Sequence, residues 1–169
     1  LIYSRRNHAL MGDRISDDIN DMLEDLISNI VNPHYGDANY EEIHDEMLRH
    51  LAVDVEIDRP KWAIAGEEGL VEILYNEARR AYREKENILI EPFFQAIQQI
   101  QNAEVEIKPT NIQVLFTDGI RRMRVVVNFQ KALESQGHEL FRALERAAVL
   151  SVIDEKWMEH LRELDSIKE

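Results

Sequence analysis

Residues Gly137 to Glu169 read GHELFRALERAAVLSVIDEKWMEHLRELDSIKE. Large apolar side chains fall at Leu140, Phe141, Leu144, Val149, Val152, Ile153, Trp157, Leu161 and Leu164, mostly in steps of three and four. That spacing places them along one stripe of a helix. No Gly or Pro follows Gly137. At 1.5 Å per residue such a helix runs for about 45 to 48 Å, longer than a domain of this size is wide, so it predicts a spine with something lying along it. The other face mixes signs: Glu145, Arg146, Asp154, Glu155, Lys156, Glu159, Arg162 and Glu163. Such a face is expected to meet water, with Glu159 and Arg162 close enough to pair.

Around this spine, composition sets bounds. The 169 residues are 44% hydrophobic and 31% charged, enough for one ordinary core or two small ones. Thirty-three acidic against 20 basic residues give a formal charge of -13, which disfavours nucleic acid and generalised attraction to an anionic membrane surface. With no cysteine, disulfides and thiolate metal sites are excluded. No stretch approaches the roughly 18 apolar residues of a membrane span and no signal peptide is legible, so a soluble protein is expected. The chain begins Leu-Ile, with a helical pattern already running, and is read as a fragment of a longer polypeptide.

At the other end the apolar positions Leu10, Met11, Ile15, Ile19, Met22, Leu23, Leu26, Ile27 and Ile30 predict one helix from Leu1, stopping at Asn32-Pro33. Its opposite face carries Asp13, Asp17, Asp18, Asp21, Glu24 and Asp25. Carboxylates so spaced can hold a divalent cation, but on an exposed helix solvation is the better account. Residues 32 to 69 hold two prolines and three glycines and are built of short pieces. Asn39 is placed to cap a helix with Tyr40, Ile43, Met47, Leu48 and Leu51 on its apolar face. Glu41 and His44 form a Glu-x-x-His spacing of the kind used by di-iron bundles, without the second copy such a site needs. Residues 52 to 57 alternate and read as a short strand or an extended linker, and Trp62 is expected in a core. From Gly69, Leu70, Ile73, Leu74, Ala78, Ala81 and Tyr82 face inward beneath a ridge of Arg79, Arg80, Arg83 and Lys85. At Pro92 a kink or short break is expected.

The period then changes. Asn111 to Thr117 and Ile120 to Val127 flank Asp118-Gly119, the strongest short hairpin signal. A two-residue turn sets Val114 opposite Met123 and Ile112 opposite Val125, and puts Ile112, Val114, Phe116, Met123, Val125 and Val127 on one face. Two strands alone are marginal in water, so this face must lie on helices or gain a third strand such as Val105 to Ile107. Arg121, Arg122 and Arg124 can meet an acidic partner, though solvation is the default.

The parts of an enzyme are missing from the sequence. It has no Gly-x-x-x-x-Gly-Lys loop to cradle phosphates, no Gly-x-Ser-x-Gly elbow, no His-Glu-x-x-His and no cysteine nucleophile. No catalytic, cofactor-binding or metal-binding residue is assigned. A free-standing acidic helical adaptor would share these traits.

Two stretches make a family resemblance. Leu150 to Asp165, LSVIDEKWMEHLRELD, resembles the L-x-x-[IL]-D-x-x-W-x-E-[HN]-L-x-x-[ML]-D signature of the SecA family of bacterial preprotein-translocase motors. Ile2 to Leu10, IYSRRNHAL, is similar to the IYSxRN stretch on the long central helix of that family, in the same order along the chain. The resemblance implies a mainly α, multihelical fold: two long scaffold helices flanking a small helical wing, with a β-hairpin inserted at about 112 to 127, as some SecA proteins carry. It implies scaffold at 1 to 31, wing at 32 to 136, and at 137 to 169 the first arm of a two-helix finger, without the finger's second arm or the zinc tail. It further implies a non-catalytic part of an ATPase, coupling hydrolysis of ATP with Mg in absent nucleotide-binding domains to preprotein export through the SecYEG channel. The parent would be cytoplasmic, associated peripherally with the inner membrane, with a SecA homodimer as a further assembly. Tyr3, Arg5, Arg6 and Asn7 are expected to face the motor domains. Trp157 and Leu161, with His160 beside them, are expected to pack the finger arm against the Leu1 to Val31 helix.

Overall fold

The computed structural model describes residues 14–103, 108–117, 119, 120 and 122–166. Among them are five helices, α1 (Ile15–Tyr35), α2 (Tyr40–Leu51), α3 (Arg59–Asn102), α4 (Phe129–Glu134) and α5 (His138–Ser166), and a two-stranded antiparallel sheet of β1 (Asn111–Thr117) and β2 (Arg122–Asn128). The mainly helical architecture with an inserted hairpin is the one expected. The chain forms two compact units, one of Asp17–Glu86 and one of Leu1–Ser16 with Asn87–Glu169.

The first unit is helical. Ile27, Ile30 and Val31 of α1, Tyr40, Ile43 and Met47 of α2, and Leu70, Leu74 and Ala78 of α3 form one buried cluster, closed by Trp62 at 2% exposure. Trp62 meets the Tyr40 ring edge-on at 5.4 Å and 86°, the geometry an aromatic quadrupole favours. The expected core role of Trp62 holds. Residues 52 to 58 are an extended linker rather than a strand, with Val53 and Val55 buried and Asp54 and Glu56 exposed. Ala52 turns into it with φ 52°, donating its N–H to Leu48 O at 3.0 Å and so closing α2.

Several boundaries differ from the sequence expectation. Arg14 has φ 62°, so a helix running unbroken from Leu1 is interrupted there; residues 1 to 13 lie outside the described residues. α1 passes through Pro33 to Tyr35, because a proline near the end forfeits a single hydrogen bond while Tyr35 gains packing on the core. Asn39 sits at the N-cap of α2 without a side-chain capping bond. α3 starts ten residues before Gly69: the Asp58 carboxylate accepts from Lys61 N–H at 3.0 Å and caps it. Gly66, with φ 76° and ψ 174°, interrupts α3, and the helix resumes beyond it. No break occurs at Pro92, since Pro92 and Ile88 are both exposed and the carbonyl that proline leaves unpaired is on the side that water reaches.

In the second unit the hairpin's inner face packs on Ile97 of α3, Phe129 and Ala132 of α4 and Leu140 of α5. The six apolar residues expected on that face are there, but the register is displaced by two: Ile112 pairs Val127, Val114 pairs Val125 and Phe116 pairs Met123. A two-residue turn would set Phe116 opposite Arg121; the observed pairing matches all six apolar residues with one another. The expected third strand at 105 to 107 lies outside the described residues. Asn128 caps α4, accepting from Lys131 N–H at 3.0 Å. Lys108 Nζ donates to the carbonyls of Ile100, Gln101 and Ala103 at 2.9, 2.5 and 2.9 Å, capping the end of α3 with a charge.

Candidate functional site

α5 leaves α4 through Ser135, Gln136 and Gly137. Gly137 N–H donates to Ala132 O at 2.8 Å with φ 90°, and a Cβ there would stand 2.9 Å from Ile90 Cγ2. Only glycine meets both demands, and its bareness lets α5 start against α3. Ser135 Oγ accepts from Glu139 N–H at 3.0 Å, satisfying a donor of the first turn. Leu140 and Phe141 are 2% and 8% exposed, with Leu144 packed behind them.

Glu145, assigned from the sequence to the water-facing side, is in fact 8% exposed. Ser16 Oγ donates to its Oε2 at 3.3 Å across 129 residues of sequence. A carboxylate is buried only where donors reach it, and nothing in the local helical pattern announces a donor so distant.

Past Leu150 the same helix is exposed. Val152, Trp157, Met158 and Leu161 are 55%, 36%, 53% and 41% accessible. Trp157 and Leu161, expected as packing contacts against the Leu1 to Val31 helix, are thus partly open to water, and residues 1 to 13 of that helix lie outside the described residues. Among the described residues the buried cluster of the second unit ends at Ala147, and the helix continues beyond it to Ser166. The Trp157 and His160 rings lie 6.0 Å apart, tilted by 49°. On the neighbouring face Lys156 Nζ donates to Glu159 Oε2 at 2.8 Å, which lowers the Glu159 carboxyl from its ordinary value and raises Lys156. The expected partner, Arg162, acts on Glu159 only as a weaker, more distant charge. Tyr3, Arg5, Arg6 and Asn7, the other expected interface residues, lie outside the described residues.

α5 thus carries a partly exposed apolar stripe from Val152 to Leu161, with an ion pair beside it. Among the described residues no group of three or more His, Asp or Glu is placed to hold a metal ion, and no helix is long and apolar enough to cross a membrane. The Glu41-x-x-His44 spacing does not converge on a site. The His44 ring is occupied by Asp54 at Nε2 (3.0 Å) and Asp45 at Nδ1 (3.1 Å), while Glu41 pairs with Arg59. Both His44 contacts raise its pKa, that of Asp54 the more.

One family's sequence model, described as the SecA wing and scaffold domain, matches residues 1–169. The chain belongs to the SecA wing and scaffold family. It is 40% identical over 169 residues to the protein translocase subunit SecA of Salinibacter ruber, covering 100% of this chain and 15% of that protein. The SecA subunits of Porphyromonas gingivalis and Christiangramia forsetii are 31% and 30% identical, again over 15% of their lengths. No solved structure matches. The chain thus spans 15% of the length of these SecA relatives. With the family shown, a free-standing adaptor is not favoured.

Proposed function

We propose that this SecA segment is a mechanical part of a longer motor. Its wing (32–136) and scaffold (1–31 and 137–169) would couple ATP hydrolysis, in nucleotide-binding domains holding ATP and Mg, to preprotein export through SecYEG. It would work on the cytoplasmic side of the inner membrane, as one copy or in a SecA homodimer. The observation that carries this is the apolar arm of α5, with Met158 and Leu161 exposed and Trp157 partly so, within a chain matched to SecA from end to end. A helix is stiff along its axis, so a small shift at one end reaches the other as a rigid-body motion. The segment supplies no chemistry of its own. Trp157, His160 and Leu161 would dock on neighbouring parts of the parent, and Tyr3, Arg5, Arg6 and Asn7 would face the nucleotide-binding domains.

The test is binding in trans. The 169-residue chain is mixed with the nucleotide-binding portion of its own SecA, and affinity and basal ATP hydrolysis are measured. Binding with suppressed hydrolysis, weakened by Trp157→Ala with Leu161→Ala, is the expected result. No binding and no change in hydrolysis, from a chain shown to be folded, would overturn the coupling role.

A further inference from the structure

The hairpin has a second face. Pairing of Leu115 with Arg124, Gln113 with Val126 and Thr117 with Arg122 puts these six side chains on the side away from the core. Leu115 and Val126 are 60% and 58% exposed, and they are diagonal neighbours across the two strands, close enough to form one apolar patch. Arg122 and Arg124 flank it, exposed and without an ion-pair partner among the described residues. Neither strand contains an Asp or Glu, in a chain that has 33 of them. Solubility alone would favour Lys or Thr at the places of Leu115 and Val126, since exposed apolar strands invite pairing.

We propose that this outer face is a docking surface for a short, extended, acidic polypeptide segment with alternating apolar side chains. Charge complementarity selects the sign: two arginines stand beside the patch with no carboxylate on either strand to neutralise them. Size selects the form. Strands of seven residues span about 24 Å, room for a peptide in extended conformation and far too little area for a globular partner. The apolar side chains of the segment lie on Leu115 and Val126 while its carboxylates reach Arg122 and Arg124. An anionic lipid surface fits less well, because it would meet the chain's net charge of -13 as well as the hairpin. The surface is separate from the exposed arm of α5 and does not depend on the coupling role.

A titration of the isotopically labelled 169-residue chain, followed by amide chemical shifts, tests this with two synthetic nine-residue peptides that alternate Val with Glu or Val with Lys. The expected result is saturable shifts confined to residues 111–128 with the Glu peptide and none with the Lys peptide. Arg122→Glu with Arg124→Glu should weaken binding by about tenfold or more, and the milder Arg122→Gln with Arg124→Gln by about threefold. The Gln pair keeps the test valid should charge reversal disturb the hairpin, whose integrity is read from the amide shifts of Val125 and Val127. Equal response to both peptides, or shifts centred outside the hairpin, would overturn the proposal. So would binding of phosphatidylglycerol vesicles through the two arginines without peptide binding. Concentration-dependent self-association abolished by the Gln pair would overturn it in favour of a second copy of the chain.

Discussion

The two halves of α5 carry the same apolar rhythm and have opposite surroundings. From His138 to Glu145 the stripe is covered: Leu140 is 2% exposed beneath the hairpin, α3 and α4, and Phe141 beside it is 8% exposed. From Ser151 onward Val152, Trp157, Met158 and Leu161 continue it into water at 36% to 55% exposure. A helical period thus states which side of a helix is apolar, and the presence of a partner decides whether that side is a core or a contact surface. The first half holds this unit together. The second, in the role proposed above, offers its stripe to another part of the parent.

The largest effect is expected in the covered half. Leu140→Ala should cost about 2 to 5 kcal/mol in a denaturant titration, the usual range for a leucine removed from a packed core; a loss like that of a surface substitution would dissolve the distinction. Gly137→Ala should cost about 1 to 3 kcal/mol, because the methyl meets Ile90 Cγ2 at 2.9 Å on a backbone at φ 90°. In the more exposed half, Trp157→Ala should change the stability of this chain by less than about 1 kcal/mol. A loss comparable to that of Leu140→Ala would mean that Trp157 is covered in solution. The same substitution should act on binding to the nucleotide-binding portion, so its two readouts separate a contact surface from a core.

The smallest effect expected lies in the helical unit and sets the scale for exposed charge. His44 bonds Asp54 and Asp45, and its pKa in the folded chain is raised. A raised value means that the folded state holds the proton more tightly. The resulting stability is fully present below the unfolded histidine value of about 6.5 and is lost as pH rises through the folded value. Wild type should therefore lose more stability than His44→Asn between pH 5.5 and 8.5, by a small margin because the pair is open to solvent. Identical pH dependence of the two would remove the contribution.

What the sequence could and could not convey follows from the same contrast. Most elements, though not α4 or the first ten residues of α3, the buried tryptophan Trp62 and the inward face of the hairpin were legible because each is written in local periodicity or residue type. The hairpin register was not, since alternation is unchanged by a shift of two and only cross-strand matching of Phe116 with Met123 excludes the tighter turn. Glu145 was assigned to water because its donor, Ser16, lies at the far end of the chain. For Trp157 the sequence signals a packing contact without naming the surface that provides it. The Asp58 cap of α3 could have been found: an Asp ahead of Arg59-Pro60 is a common helix start.

Lys108 reaches from one element to another. By holding the carbonyls of Ile100, Gln101 and Ala103 from a position three residues ahead of β1, its ammonium ties the last turn of α3 to the root of the hairpin. Amide exchange should report this as a shared opening event: the final turn of α3 and the Ile112–Val127 end of the hairpin would lose protection together. With Lys108 replaced by Met, the helix end would fray on its own while the hairpin stayed closed. One flexible side chain thereby adds a polar tie to the apolar packing that the hairpin already makes on Ile97 and Ile100.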